Sequence, residues 1–283
     1  SGTPIISTLM RDLSYSNIHS IRAIINGTSN FILSEMEEKN TEFMEALKLA
    51  QKLGYAEPDP TNDIEGFDAR YKLSILSTLA FKTEVEYTKL HVEGISKIDS
   101  IDFQYAKELG YSIKLLAIAE KIESGILARV HPTMIDVNNP LAKISGAMNA
   151  IEIQENLLGT VIIQGPGAGP SPTSSGILSD LIHVLKTKDN SESVPTLINN
   201  LKINDIKILE SRFYLRFIVH DKAGVLSKMS NILGEENISI ASVIQKENIN
   251  LEEKYADLVF MTYKSSQSSI NKAIQKITKL DVV

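Results

Sequence analysis

The chain has 283 residues, enough for two domains with a sizeable core, and 43% of them are apolar, an ordinary share for a globular protein. A net charge of −6 argues against nucleic acid and anionic membrane surfaces as partners, and zero cysteines exclude disulfides, thiolate zinc sites and thiol nucleophiles together. The composition suits a reducing cytosol; no apolar run reaches the ~18 residues of a membrane span, and no signal peptide precedes the first motif.

The sequence opens on Ser1-Gly2-Thr3-Pro4 without an initiator Met, which reads as a piece of a longer protein. "IINGTSNFIL" (24–33) is a strand turning at Asn26-Gly27 into a helix that Ser29 or Asn30 caps; it reads equally as a plain turn and as a substrate contact. "TEFMEALKLAQKLG" (41–54) is the clearest helix. Phe43, Ala46, Leu47, Ala50 and Leu53 share one face, Thr41 caps the start and Gly54 stands at the C′ position. After an acidic loop, a second helix starts at Asp68 and runs to about Phe81 on a stripe of Leu73, Leu76, Leu79 and Ala80. "ILARVHPTMI" (126–135) and "NAIEIQENLLGTVIIQGPG" (149–167) read as strands, and residues 173–186 as a helix with Pro172 at its start. "KTKDNSESVPTLINN" (186–200) is polar and aperiodic, so it reads as an exposed segment and domain boundary.

The remainder repeats a familiar order. "RFYLRFIVHD" alternates like a strand, "GVLSKMSNILGEEN" is a helix, and "ISIASVIQK" and "KYADLVFMTY" are strands joined by a polar hairpin. "SSINKAIQKITKL" is a second helix and "DVV" a closing strand. That βαββαβ series predicts helices over one face of a four-stranded antiparallel sheet. The domains expected are thus 1–200 and 201–283, of the α/β (α+β) class: a helix-covered open β-sheet, then a ferredoxin-like unit.

Three stretches bear on chemistry. "EPDPTNDIEGFDARYK" (57–72) holds five acids, Glu57, Asp59, Asp63, Glu65 and Asp68, and then Lys72. Asp68 and Lys72, four apart on a helix, share a face. The ordinary reading is a surface ion pair contributing a few tenths of a kcal/mol. The sharper one is a lysine that gives and takes a proton beside a carboxylate that orients it, with Glu57 and Asp63 ready for an ammonium group. "VIIQGPGAGPSPTSSGILSDLI" has the strand, glycine turn and helix of a dinucleotide fingerprint. Pro170, however, stands where the third glycine belongs, so it is a stretch that admits a ligand to the backbone or a plain loop. "HDKAGVLSKM" ends a strand and starts a helix whose free N–H groups suit a carboxylate, or it is a tight turn. His19, His91, His131, His183 and His220 show no metal-ligand spacing, and no Ser-His-Asp signature is present.

"SGTPII", "IINGTSNFILSEM", "AQKLGYAEPDPTNDIEGFDARYKLSILSTLAF" and "GPGAGPSPTSSGILSDLI" resemble, in order and spacing, the motifs of homoserine dehydrogenase. "FYLRFIVHDKAGVLSKMSNILGEENISIASVIQ" resembles the ACT domain that follows many of these enzymes. A Rossmann domain of roughly 130 residues precedes these motifs in the family and does not figure in this sequence. The resemblance implies reversible reduction of L-aspartate 4-semialdehyde to L-homoserine with NAD(P)H, in threonine, methionine and isoleucine synthesis. It makes Lys72 the proton donor and acceptor with Asp68 beside it, and Glu57, Asp63, Asp68 and Thr28 substrate contacts. Gly54, Gly165, Gly167 and Gly169 match positions where the backbone passes NAD or NADP. Ser1 and Thr3 match two carbonyls of an incomplete monovalent-cation site. Asp221, Gly224 and Val225 fall at an amino-acid effector site, threonine favoured, although Ala223 replaces a usual proline and Tyr263 a common histidine. A cytoplasmic homodimer or higher oligomer, inactive without the cofactor domain, is implied as well. The rival reading is a stand-alone amino-acid-binding regulatory module without catalysis; an upstream G-x-G-x-x-G unit in the same reading frame discriminates between them.

Overall fold

The structure, a computed structural model, describes residues 2–186, 197–248 and 255–283. The chain divides into two units, Ser1–Asp205 and Ile206–Val283. Residues 187–196, most of the expected boundary segment, lie outside the described residues.

In the first unit a single turn, α1 (Ile5–Ser7), passes through a π-helical turn into strand β1 (Ile18–Ile24). Four helices follow: α2 (Gly27–Lys39), α3 (Phe43–Lys52), α4 (Thr61–Ile64) and α5 (Phe67–Phe81). Short β2 (His91–Val92) and α6 (Ser100–Glu108) lead to two hairpins, β3 (Tyr111–Ile122) with β4 (Gly125–Asp136) and β5 (Met148–Glu155) with β6 (Gly159–Pro166). Helix α7 (Pro170–Lys186) ends the series. The six strands form one sheet in the order β2-β4-β3-β1-β5-β6, antiparallel except for the β2–β4 pair.

Alternation along the strands decides which side chains meet the helices. Ile21 and Ala23 of β1, Leu115 and Ala117 of β3, and Ile151 and Ile153 of β5 join Ile32, Leu33 and Met36 of α2 and Leu73 and Leu76 of α5 in one core. The intervening residues face the other way. Ile24, Leu116, Ile118 and Ala150 form a smaller cluster there with Leu141 and Ile144, from the 3₁₀ turn Pro140–Lys143 and just after it. On β4, Arg129 Nη1 pairs with Glu120 Oε2 at 2.7 Å and its Nε donates to His131 Nε2 at 3.2 Å. Burial first, and then the charges of Arg129 and His91, push the His131 ring down to about 4. Beside β4, Ile126 N donates to Lys202 O and Asn204 N to Ile126 O, so the end of this unit runs along the strand.

The second unit has a three-stranded antiparallel sheet, β8-β10-β9, built from β8 (Tyr214–His220), β9 (Ile240–Asn248) and β10 (Tyr255–Thr262). Helices α8 (Val225–Glu235) and α9 (Gln267–Ile277) pack on it, burying Met229, Leu233, Ile270 and Ala273 against Leu258 and Phe260. A two-residue ladder joins β7 (Glu210–Ser211) to β11 (Ser265–Ser266). The hairpin expected between β9 and β10 falls on residues 249–254, outside those described.

Four local expectations need correction. "DVV" is a turn rather than a fourth strand of that sheet: beside β8 the segment supplies one backbone bond, His220 N to Val282 O at 2.9 Å, too few to make a ladder. Asn26, not Ser29 or Asn30, caps α2, because its side chain precedes the first turn and accepts from Ser29 N. Glu42 rather than Thr41 stands at the cap of α3, Thr41 Oγ1 donating instead to Glu35 O. Helix α7 starts at Pro170, three residues early, with Thr173 N donating to Gly169 O; the proline ring presets φ for the first turn.

Candidate active site

The acidic stretch sorts itself by position. Asp59 turns inward on its own loop, accepting from Thr61 N at 3.2 Å and Thr61 Oγ1 at 2.6 Å. Those bonds, the hydroxyl's first, hold its carboxyl below the usual range. Asp59 is therefore engaged within its own loop, just ahead of Pro60 at the start of α4. Glu57 lies exposed, its carbonyl accepting from Gln51 Nε2 at 3.2 Å. Asp63, Asp68 and Lys72 come together, and the residue that joins them is Asn26.

Strand β1 delivers Ile25 and Asn26 to the edge of the site. Asn26 is 6% exposed, and its Nδ2 donates to Asp63 Oδ1 at 2.7 Å and to Asp68 Oδ2 at 2.9 Å. Lys72 Nζ donates to Asp68 Oδ2 at 2.7 Å and to the Ile25 carbonyl at 3.1 Å. Ser29 Oγ donates to the Asp63 carbonyl at 2.7 Å, fixing the α4 backbone against α2. An ammonium group has three N–H bonds. Two are engaged here, and the Lys72 side chain is 46% exposed, so a third can reach an oxygen arriving from solvent. Asp68, 30% exposed at its side chain, borders the same opening. An isolated i,i+4 pair on a helix surface adds only about 0.3–0.5 kcal/mol. What sets this one apart is its tie, through a buried amide, to a second carboxylate from a different helix.

Thr28 opens α2 and is buried; its hydroxyl donates to Tyr55 O at 2.5 Å, joining α2 to the segment after α3. That segment begins at Gly54, whose φ of +79° closes α3 as a C′ glycine should. Further along, Asn30 Nδ2 donates to Gly146 O at 2.8 Å and Met148 O at 3.2 Å, and Asn149 in β5 pairs with Gly165 in β6. A Cβ on Gly167 would lie 1.8 Å from Asn149 Nδ2, so only glycine allows this approach, and Gly169 takes φ +113°. The glycine turn is thus linked, through residues 146–149, to the helix start that carries Asn26. At Gly165, Gly167 and Gly169 the turn carries no side chains that would keep a ligand from the backbone.

The expected cation position fares differently. Ser1 lies outside the described residues, and the Thr3 carbonyl already accepts from Ile5 N at 2.8 Å. Among the described residues no group of three or more His, Asp and Glu side chains suits a metal ion. No helix among the described residues is long and apolar enough to cross a membrane.

In the second unit, Asp221, Gly224 and Val225 line a cavity of about 200 Å³ together with Val219, Gln245 and Leu258. Gln245 Nε2 donates to Asp221 Oδ1 at 3.3 Å. Gly224, at φ +89°, precedes α8 with no side-chain cap, whereas Val225 N is already directed to Lys222 O. Sequence reasoning did not single out Asn26 or Gln245 as site residues. The signal for Asn26 lay in the "NGTS" spacing of an N-cap; Gln245 carries no local signal, since it meets Asp221 from 24 residues away in the chain.

The profile described as homoserine dehydrogenase matches residues 4–182, and that of the ACT domain matches residues 213–282. A homoserine dehydrogenase of Neisseria gonorrhoeae is 43% identical over all of this chain and 66% of its own length. One from Pseudomonas aeruginosa is 40% identical over all of this chain and 67% of its own. The crystal structure of a homoserine dehydrogenase from Thiobacillus denitrificans, 41% identical, superposes with a TM-score of 0.92, covering 100% of this chain and 66% of that one. A hyperthermophilic archaeal homoserine dehydrogenase mutant in complex with NADPH is 33% identical, with a TM-score of 0.56 over 68% of this chain and 55% of its own. The chain spans about two thirds of the length of the curated relatives it matches.

Proposed function

The chain belongs to the homoserine dehydrogenase family, and on that premise we propose that it forms the substrate and regulatory part of an enzyme that reversibly reduces L-aspartate 4-semialdehyde to L-homoserine. The observation that carries the reading is Lys72 Nζ, held 2.7 Å from Asp68 Oδ2 with one N–H left for a carbonyl oxygen. In the reducing direction the aldehyde π bond breaks, its carbon gains a hydride and its oxygen takes a proton from Lys72. Oxidation of the alcohol runs the same transfers backwards. NAD or NADP, when bound, supplies or accepts that hydride. Gly54, Gly165, Gly167 and Gly169 are the residues of this chain that border it.

Lys72 serves twice, since its charge steadies the oxygen as negative charge develops there and its proton then neutralises it. Asp68 fixes the direction of the ammonium group. Asp63 and Glu57 receive the substrate's amino group, and Thr28 borders the same end. The second unit binds an amino-acid effector at Asp221, Gly224 and Val225, with threonine favoured, so the enzyme answers to a product of threonine, methionine and isoleucine synthesis. A cytoplasmic homodimer is the assembly proposed. The domain boundary is set at residues 205–206, five residues past the expected 200–201, because Lys202 and Asn204 bond the Ile126 backbone of the first unit.

The test is direct. Joined to an amino-terminal dinucleotide-binding domain, the chain should turn over aspartate semialdehyde; alone it should not. In the joined enzyme Lys72→Ala should lower kcat by at least ~100-fold. Near-normal kcat in that variant would refute the role given to Lys72.

A further inference from the structure

Most N-caps would serve α2. Ser, Thr or Asp accept from the N3 amide about as well as Asn does. Asn26 does more. Ser29 N donates to its Oδ1 at 2.8 Å. A backbone N–H can only donate, so the amide oxygen must face it, and the NH₂ group is thereby aimed away from the helix. Its two protons go to carboxylates that enter from different elements, Asp63 Oδ1 and Asp68 Oδ2. Two carboxylates brought to one nitrogen repel each other unless a donor stands between them. Asn26 is that donor, and it is neutral, so it leaves the negative charge of the pair intact.

The choice of oxygen matters. Asn26 binds Asp68 at Oδ2, the same oxygen that receives Lys72. With both interactions on one atom, the carboxyl cannot rotate without losing one of them. We propose that Asn26 is a positioning residue of the reaction: its amide locks Asp68 in the rotamer that holds Lys72 and keeps Asp63 beside it. The inference rests on Lys72 as the proton donor. Without the amide, Asp68 gains rotational freedom and Lys72, already half-exposed, spends less time in the reactive pose, a loss of about 10-fold in kcat.

The test is a double-mutant cycle in the chain joined to its dinucleotide-binding domain. Asn26→Ser keeps a capping oxygen and removes the NH₂ donors. It should lower kcat about 10-fold and leave the dinucleotide KM unchanged. In an Asp68→Asn background the same substitution should cost less than about 3-fold, because the residue it acts through is already altered. Equal losses in both backgrounds, with Lys72→Ala severely impaired, would overturn the positioning role alone. Normal turnover in Lys72→Ala would overturn the proton-donor reading, and this inference with it. A measurement free of activity stands beside the cycle. In the 283-residue chain the Asn26 side-chain amide should show two slowly exchanging protons by NMR, one of them released by Asp68→Asn. Exchange as fast as that of an exposed asparagine would also overturn it.

Discussion

Replacing Gly94 by alanine should unseat the acidic loop. A Cβ at Gly94 would stand 2.4 Å from the Ile64 carbonyl and 2.5 Å from the Glu65 Cα. Carbon contacts settle at about 3.5–4.0 Å, so each approach is short by an ångström or more. Both obstacles include backbone, which cannot swing aside as a side-chain tip would. Relief requires parting residues 94–95 from 64–65, and that stretches the bond from Ile95 N to Ile64 O, now 2.7 Å. Overpacking costs about 1–3 kcal/mol. A weakened buried backbone bond adds about 1 kcal/mol. For a unit of this size each kcal/mol lowers Tm by about 2–4 °C, so a fall of roughly 5–12 °C should appear in calorimetry of the chain. Gly54→Ala is the control: its φ is +79° but nothing lies within 4 Å, so only the left-handed backbone penalty applies. That penalty is about 1–2 kcal/mol. Asp63 sits one residue before Ile64, so in the joined enzyme Gly94→Ala should also raise KM for aspartate semialdehyde. A Tm within 1 °C or so of the parent would refute the steric reasoning, since overpacking of this kind costs about 1 kcal/mol at least.

Other outcomes follow from the same structure. The His131 ring, lowered from 6.5 to about 4 in the fold, takes a proton more readily once unfolded. Its contribution is therefore complete above pH ~6.5 and is lost as pH falls toward 4, about 2 kcal/mol by pH 5. Urea titrations at pH 7.5 and 5 should show that extra loss in the parent and not in His131→Gln; equal losses in both would exclude the ring as its source. Gly167→Ala must displace the buried Asn149 side chain, which is 7% exposed, and should raise the dinucleotide KM in the joined enzyme at least several-fold while sparing KM for the aldehyde. A dinucleotide KM at the parent value would remove Gly167 from the residues bordering the cofactor. Calorimetric titration with threonine should give saturable heat that Asp221→Ala weakens; no heat from threonine, lysine, isoleucine or methionine would count against the effector site.

The helices α3 and α5 were legible because their apolar residues recur every three or four positions, and β8 because its buried Leu215 and Val219 are set apart by more exposed neighbours. Strand β3 carried no such mark. From Ser112 to Ala119 it is buried on both faces, so "SIKLLAIA" shows no alternation to betray a strand. The closing "DVV" misled for the opposite reason, since its composition suits a strand and its pairing does not arise.

The four-residue spacing of Asp68 and Lys72 was set locally, because a helix puts i and i+4 on one face whatever surrounds it. So were the glycines that end α3 and shape the turn before α7, whose backbone angles or close contacts a side chain would strain. Which carboxylates meet the lysine was not local. Asp63 and Asp68 reach Asn26 across 37 and 42 residues of chain, and only the packing of α2, α4 and α5 over the sheet brings them to one amide. Hydrogen bonds act over about 3 Å, and no sequence interval measures that distance. Composition and periodicity determined the helices, most of the strands and the acidic stretch; tertiary packing decided that Asp63 and Asp68 met at Asn26 while Glu57 stayed exposed.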